Sequence, residues 1–238
     1  MRTSKFDLGE FGIIDVYAHD YIIHNSIKSS GELWCKNLFD FIIDINQVTK
    51  PTLVDVGAHC GLFSIPFCKI TGGTAISFEP QENLFELLNK NFSQNSLENY
   101  ETHNCAVGSL CKSGISLNKG DEGYAASNKQ GLPSNLGGVG IGEDGESGIE
   151  MVTIDSMNLT ACDVLKIDVE GAEPYVIDGA RETISKYKPI IMYENNWKTT
   201  NDYMKKLMGE PMNIKEFLLS LGYSFEDKDV DVIAYIKK

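Results

Sequence analysis

Long apolar runs, paired cysteines and positive charge are all scarce in this 238-residue chain, and each scarcity excludes a class of protein. No stretch of eighteen consecutive apolar residues occurs, so no membrane span is expected. The opening Met1-Arg2-Thr3-Ser4-Lys5-Phe6-Asp7 lacks the apolar core of a secretory signal, which points to a cytoplasmic location. Six cysteines (Cys35, Cys60, Cys68, Cys105, Cys111, Cys162) form no C-x-x-C pair, and no histidine cluster accompanies them, so zinc is not expected. They read as reduced thiols packed as small hydrophobes. Only 21 basic residues stand against 34 acidic ones, a net charge of −13 that repels a phosphate backbone. Nucleic acid is therefore a poor partner, and a neutral small molecule or glycan suits the surface better.

What is present is an alternation of strand and helix patterns, which implies a mostly parallel sheet covered on both faces. Thr52–Val56, Thr74–Phe78, Tyr100–His103, Asp163–Ile167 and Pro189–Tyr193 read as strands. Gly61–Ile70, Gln81–Asn95 and Pro174–Lys186 read as the helices between them. Trp34, Leu38, Phe41, Ile42 and Ile45 share the face of an earlier helix. Asn213, with Glu216 three residues on, looks like a helix start, and Leu221-Gly222 its stop. Tyr223–Phe225 and Val230–Ile236 predict a C-terminal hairpin forming an antiparallel edge. The whole chain, 1–238, is expected to be one domain with a seven-stranded sheet and a small cap or strand pair over residues 1–30. Between Ser113 and Glu150 lie ten glycines and no helical period. That stretch reads either as a surface insertion or as a flap with short hairpins over the ligand.

Three short segments carry the chemistry. Val54-Asp55-Val56-Gly57-Ala58-His59-Cys60-Gly61 sits at a strand-to-helix junction, where Gly57 allows a tight turn and Gly61 a close approach. Asp55 is placed to accept hydrogen bonds from the loop or from a ligand's ammonium group. The pattern lacks the G-x-G-x-x-G that seats a pyrophosphate, so a dinucleotide is disfavoured. Glu79 follows Gly57 by twenty-two positions at the end of the next strand, where a carboxylate can hold a ribose diol, and Pro80 turns the chain away at once. Leu165-Lys166-Ile167-Asp168-Val169-Glu170-Gly171-Ala172-Glu173 ends the fourth strand and aims Asp168 and Glu170 into the same crevice. Three carboxylates so close together need donors, protons or a metal to offset their repulsion.

Together with Phe78-Glu79-Pro80, Gly137-Gly138 and Thr153-Ile154-Asp155, these segments resemble the FkbM family of methyltransferases over roughly residues 52–196. The resemblance implies a class I, Rossmann-like methyltransferase fold, S-adenosylmethionine as donor, and O-methylation of sugars or other small-molecule hydroxyls. It places Asp55, Gly57, Ala58 and Gly61 at the methionine end of the donor and Glu79 at the ribose. Asn104, Cys105 and Ala106 would lie near the adenine, and His59, Pro80 and Asp168 complete the donor-binding set. His59 departs from the family, which commonly has asparagine there.

Methyl transfer to an alkyl hydroxyl needs an aligned oxygen and an acceptor for its proton. Asp168 with Glu194 and Asn195, at the ends of adjacent strands, is similar to the metal site of catechol-type O-methyltransferases and would suit Mg²⁺. The metal-free alternative uses Asp168, Glu170, Glu194 or His59 directly, and Glu170 and Glu173 could equally favour a helix start. His19, His24 and His103 read as structural. Trp34 and Trp197 read as core or pocket wall, Trp197 being able to stack on a sugar. The acidic run Asp227–Asp231 reads as a solvated turn. A catalytically silent donor-binding scaffold and a methyltransferase with a non-sugar acceptor are the competing functions.

Overall fold

The structure, a computed structural model, describes residues 2–33, 36–118, 135–143, 145–195, 200–228 and 231–237. Trp34, Cys35, Trp197 and the middle of the glycine-rich segment lie outside the described residues, as do their expected roles.

The chain opens with the antiparallel pair β1 (Thr3–Asp7) and β2 (Ile13–Tyr17), then helices α1 (Tyr21–Ser30) and α2 (Lys36–Ile45). The sheet follows: β3 (Thr52–Val56), α3 (Ser64–Thr71), β4 (Thr74–Phe78), α4 (Glu82–Gln94) and β5 (Tyr100–His103). Three further strands, β6 (Ala106–Val107), β7 (Lys112–Ser116) and β8 (Ser147–Val152), form a separate small sheet. The main sheet resumes with β9 (Val164–Ile167) and β10 (Ile190–Glu194) and closes with β11 (Ser224–Lys228) and β12 (Asp231–Tyr235).

The main sheet has the order β11-β12-β10-β9-β3-β4-β5. The five strands from β10 to β5 are mutually parallel, and β12 runs antiparallel to both of its neighbours. The expected antiparallel edge is thus displaced by one position: β12 inserts inside the sheet, and β11 forms the edge in the parallel sense. Strand side chains alternate between two cores, as the period of two requires. Leu53 and Val164 pack with Ile42, Ile65 and Leu88 on the face of α2, α3 and α4. Val54, Val56, Leu165 and Ile167 pack with Val176, Ile184 and Leu218 on the other face. Burial on both faces explains why these strands read as continuous apolar runs.

One sequence expectation is corrected by this packing. The single helix expected over Pro174–Lys186 is two, Glu173–Asp178 and Arg181–Tyr187. The break falls at Gly179-Ala180, where Gly179 presses on the Gly108 carbonyl; a Cβ there would lie 2.1 Å from that oxygen. Asp155 then receives the backbone N–H groups of Glu182 and Thr183, capping the second helix from a distance. The two ends of the glycine-rich segment pair as the antiparallel strands β7 and β8.

The N-terminal segment is anchored both by apolar packing, with Ile14, Val16 and Ile27 in the core beside Ile65 and Leu88, and by amides. Asn91 of α4 and Asn95 just past its end accept hydrogen bonds from the backbone N–H groups of Asp15 and Ile13, at 2.9 and 2.8 Å. This lays β2 along α4, with the Tyr17 hydroxyl donating to the Asn83 carbonyl at 3.0 Å, and α1 follows toward the cleft. No helix among the described residues is long and apolar enough to cross a membrane.

Candidate active site

The chain passes outward from β3 to β4 and β5, then returns to the other side of β3 as β9 and β10. Open α/β sheets bind ligands where the strand order reverses in this way. A cavity of about 250 Å³ lies there, walled by the ends of β3, β4, β9 and β10, by α1 through Ile22 and Ile23, and by Asn135, Gly137 and Gly140.

At the β3 end, Gly57 has φ +78°, and a Cβ on it would meet the Asp168 carbonyl oxygen at 1.9 Å. Only glycine lets β3 and β9 approach so closely while the chain turns. The N–H groups of Gly57 and Ala58 both donate to the Phe78 carbonyl, tying the turn to β4. The next residue, His59, is itself left-handed at φ +53°, and its N–H donates to Glu79 Oε2 at 2.9 Å. The N–H of Gln81 donates to Glu79 Oε1 at the same distance. Burial pushes the Glu79 pKa up, while His59, these two N–H groups and Lys166 pull against it. The result is a carboxylate aimed at the cavity by backbone donors on both sides.

Of the residues expected at the donor, Gly57, Ala58, His59, Glu79, Pro80, Cys105, Ala106 and Asp168 line the cavity. Asp55, Gly61 and Asn104 do not, and each acts from behind the wall. Asp55 is fully buried, with Ser64 Oγ 2.5 Å from Oδ2 and Lys166 Nζ 3.3 Å from Oδ1. Gly61 packs the loop against α4; a Cβ there would lie 3.0 Å from Leu88. Asn104 donates to the carbonyls of Glu79 and Pro80, at 2.9 and 3.1 Å, and so braces the end of β4.

Lys166 is the residue whose place in the site went unassigned from sequence. It is buried within the wholly buried strand β9, and its ammonium also donates to the Gly57 carbonyl at 2.8 Å and lies 3.4 Å from Asp168 Oδ2. A lysine in a four-residue buried strand must have partners. That rule was the available signal, and the partners are the acid ends of β3 and β9.

At the β9–β10 end, carboxylate oxygens of Asp168, Glu170 and Glu194 lie within 4.8 Å of one another. Glu170 is held at φ +55° by its neighbours. Glu173 Oε1 accepts from the N–H groups of Val169 and Gly171, at 3.1 and 3.2 Å, bracing the chain on either side of it. Burial raises the Glu173 pKa to about 7, against the pull of those donors. The three acids of the motif therefore separate: two face the cavity and the third turns inward, its place in the cluster taken by Glu194. Asn195 is exposed and does not line the cavity, whereas Asp168, Glu170 and Glu194 do. Asp231, read as part of a solvated turn, lines the cavity directly opposite Glu194 in the β10–β12 pair.

His59 alone of the four histidines lines the cavity. Its Nε2 lies 2.9 Å from Asp20 Oδ2. Burial disfavours the imidazolium, but the adjacent Cys60 and the Asp20 carboxylate outweigh it, and the pKa stands well above its ordinary value. His24 bonds Ser4 and Asn25, and His103 stacks on Phe78 and pairs with Glu101, as structural residues do.

The strand order, with one antiparallel strand beside β10 and the cleft beyond β3, β4 and β9, defines a class I methyltransferase-like fold. The chain belongs to the FkbM methyltransferase family, whose domain matches residues 55–225. Among solved structures it is similar to the methyltransferase FkbM from Methylobacillus flagellatus KT, at 18% identity and a TM-score of 0.52. That likeness covers 79% of this chain and 44% of the other. It is also similar to the tRNA (uracil-54, C5)-methyltransferase of Pyrococcus abyssi in complex with S-adenosyl-L-homocysteine, at 14% identity and a TM-score of 0.50. There the likeness covers 99% of this chain and 45% of the other. The chain thus spans less than half the length of either relative. No curated protein matches the sequence.

Proposed function

We propose that this chain transfers a methyl group from S-adenosylmethionine to a hydroxyl oxygen of a sugar, glycan or similar small molecule. The observation that carries this reading is the division of one cavity into a buried, backbone-held carboxylate at Glu79 and a carboxylate cluster at Asp168, Glu170 and Glu194. Glu79 has the position and the acceptor oxygens to take two ribose hydroxyls. Gly57 and Ala58 leave room beside the turn for the methionine portion, with Cys105 and Ala106 toward the base. The S-adenosyl-L-homocysteine named for the Pyrococcus abyssi relative supports the same donor.

The donor supplies an electrophilic methyl on a sulfonium. The chain's task is to align the acceptor oxygen behind that carbon and to receive its proton. As the new C–O bond forms and the S–C bond breaks, the hydroxyl proton passes to a carboxylate of the cluster. Asp168 and Glu194 suit that role. His59 is less suited, because its Nε2 faces Asp20.

A second reading is favoured by the cluster itself. Three carboxylate oxygens in so small a space match the all-oxygen coordination of Mg²⁺, which retains waters and binds few protein ligands. Such an ion would lower the pKa of a bound hydroxyl. The acidic surface, at net −13, disfavours a nucleic-acid acceptor and suits a neutral one.

The test is transfer of a radiolabelled methyl from S-adenosylmethionine to a panel of glycosides, with and without EDTA. Labelled ether products support the reading; labelled amine or thiol products would correct the acceptor atom. Full activity in EDTA without added metal would remove the Mg²⁺ reading.

A further inference from the structure

Five residues from four separate parts of the chain close a ring of polar contacts around the Glu79 end of the cleft. Asp20 Oδ2 meets His59 Nε2 at 2.9 Å. The His59 N–H donates to Glu79 Oε2, and Glu79 Oε1 accepts from the Gln81 N–H, both at 2.9 Å. Gln81 Nε2 donates to the Leu136 carbonyl at 2.9 Å, and the Leu136 N–H returns to Asp20 Oδ1 at 3.4 Å. The ring joins the start of α1, the turn after β3, the end of β4 and the base of the glycine-rich segment.

We infer that Asp20, which does not line the cavity, is a positioning residue for the donor: through His59 and Leu136 it holds the Glu79 carboxylate and both covering segments in the geometry that receives the nucleoside. The inference rests on the donor reading above and adds a residue and a mechanism of coupling to it.

The use made of Asp20 is what distinguishes it from an ordinary helix start. It occupies the N-cap of α1, where an aspartate normally accepts from the first free N–H groups of its own helix. It makes no such bond, is entirely buried, and directs both oxygens to the ring. Gln81 stands in the same position at the start of α4, and its side chain is likewise spent on the ring and not on its helix. His59 holds a left-handed conformation that a non-glycine residue rarely adopts, and it is pinned there from both its ring and its N–H. Releasing the ring lets that turn relax and carries the Glu79 donor with it. By reciprocity, a ligand that prefers the held carboxylate strengthens every link of the ring, including the one to Leu136.

The Asp20–His59 link also gives the coupling a pH signature. The charged or titratable groups facing His59 are Asp20 from α1, Cys60 on its own loop and Glu79 from β4, with Lys166 behind Glu79. Because the His59 pKa is raised, the ion pair is complete below the ordinary histidine range and is lost as pH rises through the raised value. Donor affinity therefore falls on the alkaline side.

The experiment is calorimetric titration of the folded chain with S-adenosylhomocysteine across pH, for wild type, Asp20→Asn, Gln81→Ala and the double variant, with thermal melts alongside. Asp20→Asn keeps the side chain's size and is expected to weaken binding by about tenfold and to flatten the alkaline decline. Gln81→Ala, on a partly exposed residue, opens the same ring even if Asp20→Asn folds poorly. Its loss and that of Asp20→Asn should combine to less than their product. A merely structural Asp20 lowers the melting temperature without altering the pH profile. If both single variants bind as wild type does, with an unchanged profile, the inference is overturned while the donor reading stands. If wild type itself binds nothing at any pH, the donor reading falls and takes this inference with it.

Discussion

At the β3–β4 end of the cleft one carboxylate, Glu79, is buried and receives two backbone N–H groups. At the β9–β10 end three carboxylates crowd within 4.8 Å and remain partly or largely open to solvent. The first arrangement is built in advance. Its donors are main-chain groups whose positions follow from the turn at Gly57 and the exit at Pro80, so a ligand there meets a fixed acceptor. The second arrangement gathers three carboxylates around one space, with the Lys166 ammonium against Asp168. Fixed geometry suits recognition of a constant donor, and a group of proton acceptors around one space suits a reacting centre. Lys166 joins the two ends, since one ammonium reaches Asp55, the Gly57 carbonyl and Asp168.

This contrast can be broken at either end. The largest effect is expected from Glu194→Gln, which should cut turnover by roughly 10²–10⁴-fold while S-adenosylhomocysteine affinity stays within about threefold. Steady-state kinetics beside calorimetry would separate the two quantities, and a matching loss of affinity would erase the division proposed here. Glu79→Ala should do the reverse, weakening donor binding by about 100-fold, as expected for the loss of charge-assisted hydrogen bonds. If it lowered turnover alone at saturating donor, Glu79 would belong to the chemistry instead.

A smaller effect sharpens the picture of the acid loop. Glu173 has a folded-state pKa of about 7, raised by burial from 4.5. The protonated form is thus favoured by folding, so its contribution to stability is complete below pH 4.5 and is lost as pH rises through about 7. Urea unfolding should show stability falling by about 1–3 kcal/mol across that window in wild type. In Glu173→Gln that slope should shrink, and an unchanged slope would assign the titration to another group.

The sheet was legible in the sequence because both its faces are buried. Thr52–Val56, Thr74–Phe78 and Tyr100–His103 were bounded as they are found, since β-branched runs ending at glycine, proline or a polar pair leave little choice. The cleft residues at strand ends, Gly57, Glu79 and Asp168, were readable for the same reason: position in the alternation fixes position in the fold. Residues whose role depends on contacts distant in sequence were not. Asp20 lies 39 positions from His59 and 116 from Leu136, and nothing local marks it as more than a helix start. Asp231 reads as a turn until its pairing with Glu194 is known. Glu170 was readable as facing the crevice with Asp168, but the left-handed turn that holds it, braced by Glu173, was not. The break at Gly179 was hidden because a packing contact with Gly108, rather than a helix-stop pattern, causes it.

The most direct test of the divided cleft is a crystal structure of the chain with S-adenosylhomocysteine. The account predicts ribose hydroxyls on the Glu79 carboxylate, the homocysteine chain beside Gly57 and Ala58, and the sulfur facing the space between Asp168, Glu170 and Glu194. A ligand seated away from Glu79, or with its sulfur turned from the acid cluster, would contradict it.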